Sequence, residues 1–195
     1  MAGNRLRVLV EIALTVALCG ALYAVFHVWM PWNFAGGEIA LTMVPIMVLA
    51  LRRGVLPAMI AGATWGVLQA LLEPQFVYYP AQALLDYPLA FALVGLAGLG
   101  STSYRMALSR AQVRAAVTGA LWLLLGVGAR FAAHTLSGIV FFAENVPPGQ
   151  PVLVYSLLYN AAYIVPSALL CAGVTLLVVP TLERAVPVSA RSTAA

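Results

Sequence analysis

The chain has 195 residues, of which 63% are hydrophobic and 8% are charged, and its formal net charge is +4 at pH 7. A soluble domain carries roughly 25% charged residues, so a fold surrounded entirely by water is excluded. All ten basic residues are arginine. The lack of lysine excludes a P-loop ATPase and a pyridoxal Schiff-base enzyme, because both sites require that side chain.

Long apolar runs along the chain predict membrane-spanning helices. A spanning helix needs about 20 apolar residues, whereas the strands of a membrane barrel alternate in polarity over about 10. We therefore expect an all-α integral membrane protein, a single domain over residues 1–195 that forms a bundle of six transmembrane helices. The predicted helices cover about 8–28, 37–51, 55–73, 80–100, 115–142 and 152–180, and a polar cytoplasmic tail covers 181–195.

The arginines indicate how these helices cross the membrane. Nine of the ten lie before helix one, after helix six, or in the connections that join helices two to three and four to five. Cytoplasmic connections carry the positive excess in membrane proteins, so we expect both termini in the cytoplasm. The same asymmetry explains the basic net charge without a nucleic-acid partner, and we expect none.

The opposite side of the predicted bundle carries aromatic and acidic residues. They are Trp29, Trp32, Tyr78, Tyr79, Glu38, Glu73 and Glu144. The aromatic residues are typical of a membrane interface. An acidic mouth favours a cationic ligand, although the exclusion of positive charge from this side explains the same pattern.

Helix four contains a carboxylate close to its outer end. Ionisable groups inside a membrane are costly and mostly functional, and Asp86 begins the segment Asp86-Tyr87-Pro88. Pro88 removes one backbone hydrogen bond and allows a bend. Asp86 therefore either pairs with an amine-like or amidine-like edge of a ligand, or caps the helix or neutralises Arg130.

Helix five contains a stripe of residues spaced by four, which are Arg130, His134, Gly138 and Phe142. Gly138 leaves room between an imidazole and a phenyl ring, and this combination predicts a slot for a flat ring. The alternative is close helix packing at Gly138, with His134 hydrogen-bonded to a neighbouring helix.

Helix six carries Ser156, Asn160 and Tyr163 on one face, with Tyr155 and Tyr159 beside them. Polar groups are disfavoured against lipid, so this face should point into the bundle. The Asn160 amide can donate and accept hydrogen bonds at the same time. It therefore forms hydrogen bonds either to the edge of a heterocyclic ligand or to another helix. All three polar groups lie toward the outer ends of their helices, which predicts one outward-facing pocket for a small aromatic ligand or aromatic cation.

Two stripes of small residues occur at four-residue spacing. They are Ala13, Ala17 and Ala21 on helix one, and Ala58, Gly62 and Gly66 on helix three. Small residues let two helices approach closely. Each stripe therefore packs either within the bundle or against another membrane subunit.

Five segments, taken in order, resemble the thiamine-specific substrate-binding (S) components of energy-coupling-factor (ECF) transporters, the ThiT family. The resemblance covers about residues 8–180, and the segments are 49–54, 62–66, 85–91, 129–142 and 154–160. It implies a six-helix protein of a prokaryotic cell membrane that binds a vitamin from outside and neither hydrolyses ATP nor uses a cofactor. It also implies docking to a transmembrane coupling subunit with two ATPase subunits, through Ala13, Ala17 and Ala21.

The resemblance further implies a ligand site for thiamine. The positions that match the aminopyrimidine contacts of the family are Asp86, His134, Tyr155 and Asn160, and Trp32 matches a lid tryptophan. Tyr87, Gly138 and Phe142 complete the expected set. Asp86 stands where the family typically has glutamate, and Phe142 where it has tryptophan. Tyr155 and Asn160 lie roughly 140° apart on a regular helix, so both face one pocket only if the helix starts late or bends.

Three other functions compete with thiamine capture. An S component for another vitamin or for a thiamine precursor fits the same residues, given Asp86 and Phe142. A stand-alone carrier would be supported by a two-repeat symmetry, and no convincing repeat is evident. An enzyme is disfavoured, because the two histidines lie on different predicted helices and form no zinc-protease motif, and no Gly-x-Ser-x-Gly segment is present. No metal site is expected.

Overall fold

The computed structural model describes residues 2–29 and 36–188. Within these ranges the chain forms six helices, which confirms the predicted all-helical membrane bundle, and one small antiparallel sheet. The elements are α1 (Ala2–Val25), β1 (His27–Trp29), β2 (Glu38–Ala40), α2 (Met43–Arg53), α3 (Val55–Leu72), α4 (Pro80–Leu108), α5 (Gln112–Phe141) and α6 (Val152–Ala185). Single 3-10 turns at Pro74–Phe76 and Ala143–Asn145 precede α4 and follow α5.

All helices except α2 are long and apolar enough to cross a membrane. The exception has 11 residues and begins at Met43, whereas the sequence predicted a helix from residue 37. The later start of α2 is caused by the backbone of the residues that precede it. Gly36 and Gly37 adopt positive φ angles of 86° and 106°, which take the chain out of helical geometry, and β2 then pairs with β1 so that Ile39 lies opposite Val28.

Other helix ends also differ from the predicted ones. α4 continues to Leu108 and α6 to Ala185, so the first residues of the predicted polar tail are helical. Hydropathy locates the apolar part of a helix, whereas its hydrogen bonds continue beyond the membrane until the backbone turns. The orientation of the termini remains a prediction.

α4 is the least regular of the long helices. A π-helical turn covers Leu85–Leu89 and contains Pro88, and a 3-10 segment covers Gly95–Gly100. Proline cannot donate a backbone hydrogen bond, and single π turns often occur at functional sites. This widened turn carries Asp86 and Tyr87.

The core is centred on the short helix α2. Met43, Ile46, Met47, Ala50 and Leu51 are almost completely buried. α2 packs against α1, α3, α4 and α6, so its sequence is hydrophobic on every side, as a fully surrounded helix requires.

The two stripes of small residues have different surroundings. A Cβ atom on Gly62 would lie 2.3 Å from the Phe91 carbonyl oxygen, and one on Gly66 would lie 2.4 Å from that of Tyr87. The α3 stripe therefore packs against α4. On α1, by contrast, Ala13 and its equivalents Ala17 and Ala21 are exposed and do not pack within the described part of the bundle.

Candidate ligand-binding site

A cavity lies at the end of the bundle where α2 begins, opposite the end where α2 finishes in Arg52 and Arg53. Its wall is formed by β2, the start of α2 and side chains from α3, α4, α5 and α6. The predicted site residues that line it are Asp86, Tyr87, His134, Gly138, Phe142, Tyr155 and Asn160. Trp32 lies outside the described residues.

Asp86 is held between α4 and α5. Its Oδ2 atom accepts hydrogen bonds from Ser137 Oγ at 2.7 Å and from Gln82 Nε2 at 2.8 Å. Its Oδ1 atom lies 3.2 Å from His134 Nδ1. Among the described residues these three groups, rather than Arg130, contact the carboxylate. The π-helical turn thus presents Asp86 to α5, and the carboxylate does not act as a helix cap.

His134 connects Asp86 to an arginine. Arg130 Nε donates to His134 Nε2 at 3.3 Å, which leaves the imidazole proton on Nδ1, facing Asp86. The Arg130 guanidinium also lies 3.9 Å from the centre of the Phe91 ring, a cation–π contact. The ring orientation of His134 is therefore fixed from both sides.

A chain of hydrogen bonds continues from His134 into α6. Tyr163 Oη lies 3.4 Å from His134 Nδ1 and donates to Asn160 Oδ1 at 2.6 Å. Asn160 Nδ2 donates to the carbonyl oxygens of Ser156 at 2.9 Å and of His134 at 3.3 Å. Asn160 is thus oriented by its own helix and by α5, so the predicted bond to another helix is observed. Asn160 also lines the cavity, and its contact with the edge of a heterocycle stays a prediction.

Gly138 packs against α6, which is the alternative to the predicted slot for a flat ring. A Cβ atom on Gly138 would lie 2.2 Å from Ser156 Oγ, and Ser156 Oγ itself donates to the Thr135 carbonyl oxygen at 2.9 Å. The space beside Gly138 is occupied by α6, so the glycine brings α5 and α6 together. It lines the cavity without forming the predicted empty slot between His134 and Phe142.

The mouth of the cavity is aromatic. Phe142 follows the last residue of α5 and makes an edge-to-face contact with Tyr78 at 5.7 Å. Tyr155 lies in the first turn of α6, with its ring 6.2 Å from that of Tyr159. α6 begins at Val152, the predicted residue, so it does not start late. Tyr155 in its first turn and the buried Asn160 farther along the helix nevertheless both line the cavity.

A second acidic wall was not predicted as part of the pocket. Gln69 Nε2 donates to Glu38 Oε1 at 3.2 Å and to Glu73 Oε1 at 3.0 Å, and Tyr87 Oη donates to Glu73 Oε2 at 3.3 Å. The sequence placed both glutamates in outer connections. The spacing of Gln69 and Glu73, one helical turn apart at the end of an apolar helix, was the signal that could have located this wall.

Burial favours the protonated form of Glu38 in this wall. Loss of hydration, followed by the nearby Glu73 carboxylate, raises the pKa of Glu38 to about 8, although Arg130 and the Gln69 amide oppose the shift. Two buried acceptor atoms here, Glu38 Oε2 and Gln69 Oε1, have no hydrogen-bond partner among residues 2–29 and 36–188. Glu144, the third outer glutamate, is exposed and does not line the cavity.

The cavity therefore combines three carboxyl groups with one guanidinium group, and aromatic rings surround its mouth. A family model described as "Thiamine transporter protein (Thia_YuaJ)" matches residues 9–186. The chain belongs to the thiamine transporter protein family.

Individual members of the thiamine transporter protein family align over nearly the whole chain. "Thiamine transporter ThiT" of Bacillus subtilis (strain 168) is 37% identical over 177 residues, which cover 90% of this chain and 92% of the relative. The protein of the same name from Lacticaseibacillus paracasei (strain ATCC 334) is 35% identical over 188 residues, which cover 94% and 90%. A solved structure of ThiT from Listeria monocytogenes superposes with a TM-score of 0.81 at 26% identity, and the match covers 92% of this chain and 97% of that one.

Membership in the thiamine transporter protein family confirms the resemblance seen in the sequence. The relatives are named as transporters, so the expectation that the chain is not an enzyme is also confirmed. Together with its apolar helices, this membership makes the chain a multi-pass protein of a prokaryotic cell membrane.

Proposed function

We propose that the chain binds thiamine in the cavity and acts as the substrate-binding component of an ECF-type uptake transporter. The observation that carries the proposal is the convergence of Asp86, His134 and Asn160 on one cavity, with contacts that fix each side chain. The identity of the ligand follows from the relatives, which are thiamine transporters by name.

The wall around Asp86 fits an aminopyrimidine. That ring offers an exocyclic amine as a donor and ring nitrogens as acceptors, and a carboxylate together with an amide complements both. In this arrangement Asp86 accepts from the amine, Asn160 and His134 contact the ring edge, and Tyr155 and Phe142 pack against its faces. Trp32 retains its proposed role as a lid.

The second wall fits the cationic part of the ligand. Thiamine carries a permanent positive charge on its thiazolium ring, and the cavity has three carboxyl groups against one arginine. Glu73 is buried and accepts its hydrogen bonds from uncharged partners, Gln69 and Tyr87. A cation in a low-dielectric cavity is stabilised by such an acid more than it would be in water.

Calorimetric titration of the purified protein with thiamine tests the binding site. Asp86→Asn removes a charge-assisted hydrogen bond and should weaken binding by at least about 1.5 kcal/mol, or roughly tenfold. Glu144→Gln is the matched control, because it also removes one carboxylate but lies outside the cavity. If the Asp86→Asn protein binds thiamine as tightly as the control, Asp86 does not contact the ligand.

The same titration distinguishes the alternative ligands. Asp86 is shorter than glutamate and Phe142 is smaller than tryptophan, so a thiamine precursor or another vitamin remains the second candidate. If the isolated aminopyrimidine fragment or riboflavin binds more tightly than thiamine, thiamine is not the preferred ligand and the proposal is wrong on this point.

The exposed stripe on α1 supports docking to a coupling subunit that carries two ATPases. Ala17→Leu should leave thiamine affinity unchanged and should reduce ATP-dependent uptake in liposomes that contain the whole transporter, because the added atoms prevent close helix contact. Ala120→Leu, at an exposed position on α5, is the control. Equal uptake by both variants would contradict docking at Ala17, and uptake by the chain without ATPases would indicate a stand-alone carrier.

A further inference from the structure

The arginines at the end of the bundle remote from the cavity fall into two groups. Arg52 forms an ion pair with Glu183 at 2.9 Å, and Arg53 donates two hydrogen bonds to the Glu11 carboxylate. Arg110, by contrast, is exposed and has no ion-pair partner in the part of the chain that the structure describes, and the same holds for Arg114. Their charge is available to a group outside the protein.

These two arginines line a groove between α4 and α5. Its apolar wall is formed by Met106 from α4 and by Val113 and Val117, one turn apart on α5. All three apolar side chains are more than half exposed, and no carboxylate lines the groove. The groove therefore has a positive end and an apolar side.

The start of α5 adds hydrogen-bond donors to the positive end. α5 begins at Gln112, one residue before Val113, and the preceding Ala111 provides no side-chain cap. The first backbone N–H groups of a helix have no partner within it and favour an anion. Arg110 and Arg114 flank these groups along the chain.

We propose that this groove binds one anionic phospholipid, with its phosphate at Arg110, Arg114 and the first N–H groups of α5, and an acyl chain along Met106, Val113 and Val117. Charge complementarity selects the headgroup, because basic pockets between transmembrane helices bind anionic headgroups. The apolar wall selects a lipid over a soluble phosphate, since a free anion would leave these side chains uncovered. The site is far from the cavity and does not depend on thiamine as the ligand.

Native mass spectrometry of the purified full-length protein measures the retention of single lipids. With phosphatidylglycerol as the probe and phosphatidylcholine as the neutral reference, the protein should retain one phosphatidylglycerol preferentially. Arg110→Gln with Arg114→Gln should lower that affinity roughly thirtyfold, about fivefold for each arginine. The control is Arg5→Gln with Arg7→Gln, which removes the same charge from exposed residues before the first apolar run.

A further variant and a competitor separate the groove from general surface charge. Val117→Trp keeps both arginines but fills the apolar side, and it should weaken retention of phosphatidylglycerol at least fivefold. Equal losses in the groove and control double variants would overturn the proposal, as would equal retention of the two lipids. Displacement by inorganic phosphate at concentrations similar to those of the lipid would assign the site to a soluble anion instead. Thiamine affinity should stay unchanged in every variant.

Discussion

The two ends of the bundle differ in the balance between their acidic and basic side chains. At the end where α2 finishes, the buried Arg53 and the partly buried Arg52 each face one carboxylate, Glu11 and Glu183. At the cavity end, three carboxyl groups face one guanidinium, and within the described ranges two buried acceptor atoms lack hydrogen-bond partners. Balanced pairs hold helices together, whereas the unbalanced set of the cavity fits the cationic ligand proposed above.

The largest effect should come from breaking a balanced pair. Arg53→Met leaves Glu11 without its partner inside the bundle, and removing one member of a buried ion pair costs about 3–5 kcal/mol. We therefore expect the free energy of unfolding in detergent to fall by about 3 kcal/mol, with thiamine affinity unchanged in the protein that remains folded.

Two further variants test whether the loss arises from the unpaired charge. Arg110→Met removes an exposed arginine that pairs with no carboxylate of the described residues, and it should change stability by less than about 0.5 kcal/mol. Adding Glu11→Met to Arg53→Met should restore most of the loss, because a buried pair replaced by apolar residues is often neutral. If the double variant is as unstable as Arg53→Met alone, the arginine acts through packing and not through its charge.

The next effect should separate the two walls of the cavity. Glu73→Gln keeps the shape of the side chain but removes a charge, and we expect it to weaken thiamine binding by about 1–2 kcal/mol, or roughly five- to thirtyfold. The uncharged aminopyrimidine fragment should bind this variant as well as the wild-type protein. Asp86→Asn should weaken the binding of both ligands, because in the proposed arrangement Asp86 contacts the ring that they share.

Calorimetric titration of the wild-type protein and the two variants, each with thiamine and with the fragment, gives all six affinities. A loss of fragment affinity in Glu73→Gln equal to that of thiamine would show that the acidic wall supports the fold of the pocket and does not attract the cation. An unfolding measurement on the same preparations confirms that each variant retains its stability.

The sequence was sufficient for those parts of the molecule that depend on one helix at a time. Apolar runs predicted the six helices, and Asp86, His134 and Asn160 were recognisable because each interrupts an apolar segment. Helix packing at Gly138 was one of the two alternatives, but its partner Ser156 was not predictable, since this contact depends on the distance between α5 and α6. Glu38 was assigned to the outer side of the bundle but not to the pocket for the same reason: only the pairing of β2 with β1 brings it to the cavity wall.

The smallest expected effect is a pH dependence that originates in the acidic wall. Glu38 has a pKa of about 8 without ligand, so most of its carboxyl groups are protonated at pH 7. A bound cation favours the ionised form. If it lowers that pKa by about one unit, thiamine affinity should increase about fourfold between pH 7 and pH 8.5. The thiazolium charge is permanent, so the titrating group belongs to the protein.

Glu38→Gln should abolish this increase, because its side chain does not titrate, whereas Glu144→Gln, outside the cavity, should retain it. Calorimetric titrations at pH 7, 7.5, 8 and 8.5 measure the slope, and repeating them in buffers of different ionisation enthalpy counts the protons released on binding. An affinity that rises equally in both variants would place the titrating group elsewhere. If thiamine affinity decreases as the pH rises, protonated Glu38 is the form that contacts the ligand, as a hydrogen-bond donor. The acidic wall would then bind a hydrogen-bond acceptor of the ligand and not its positive charge.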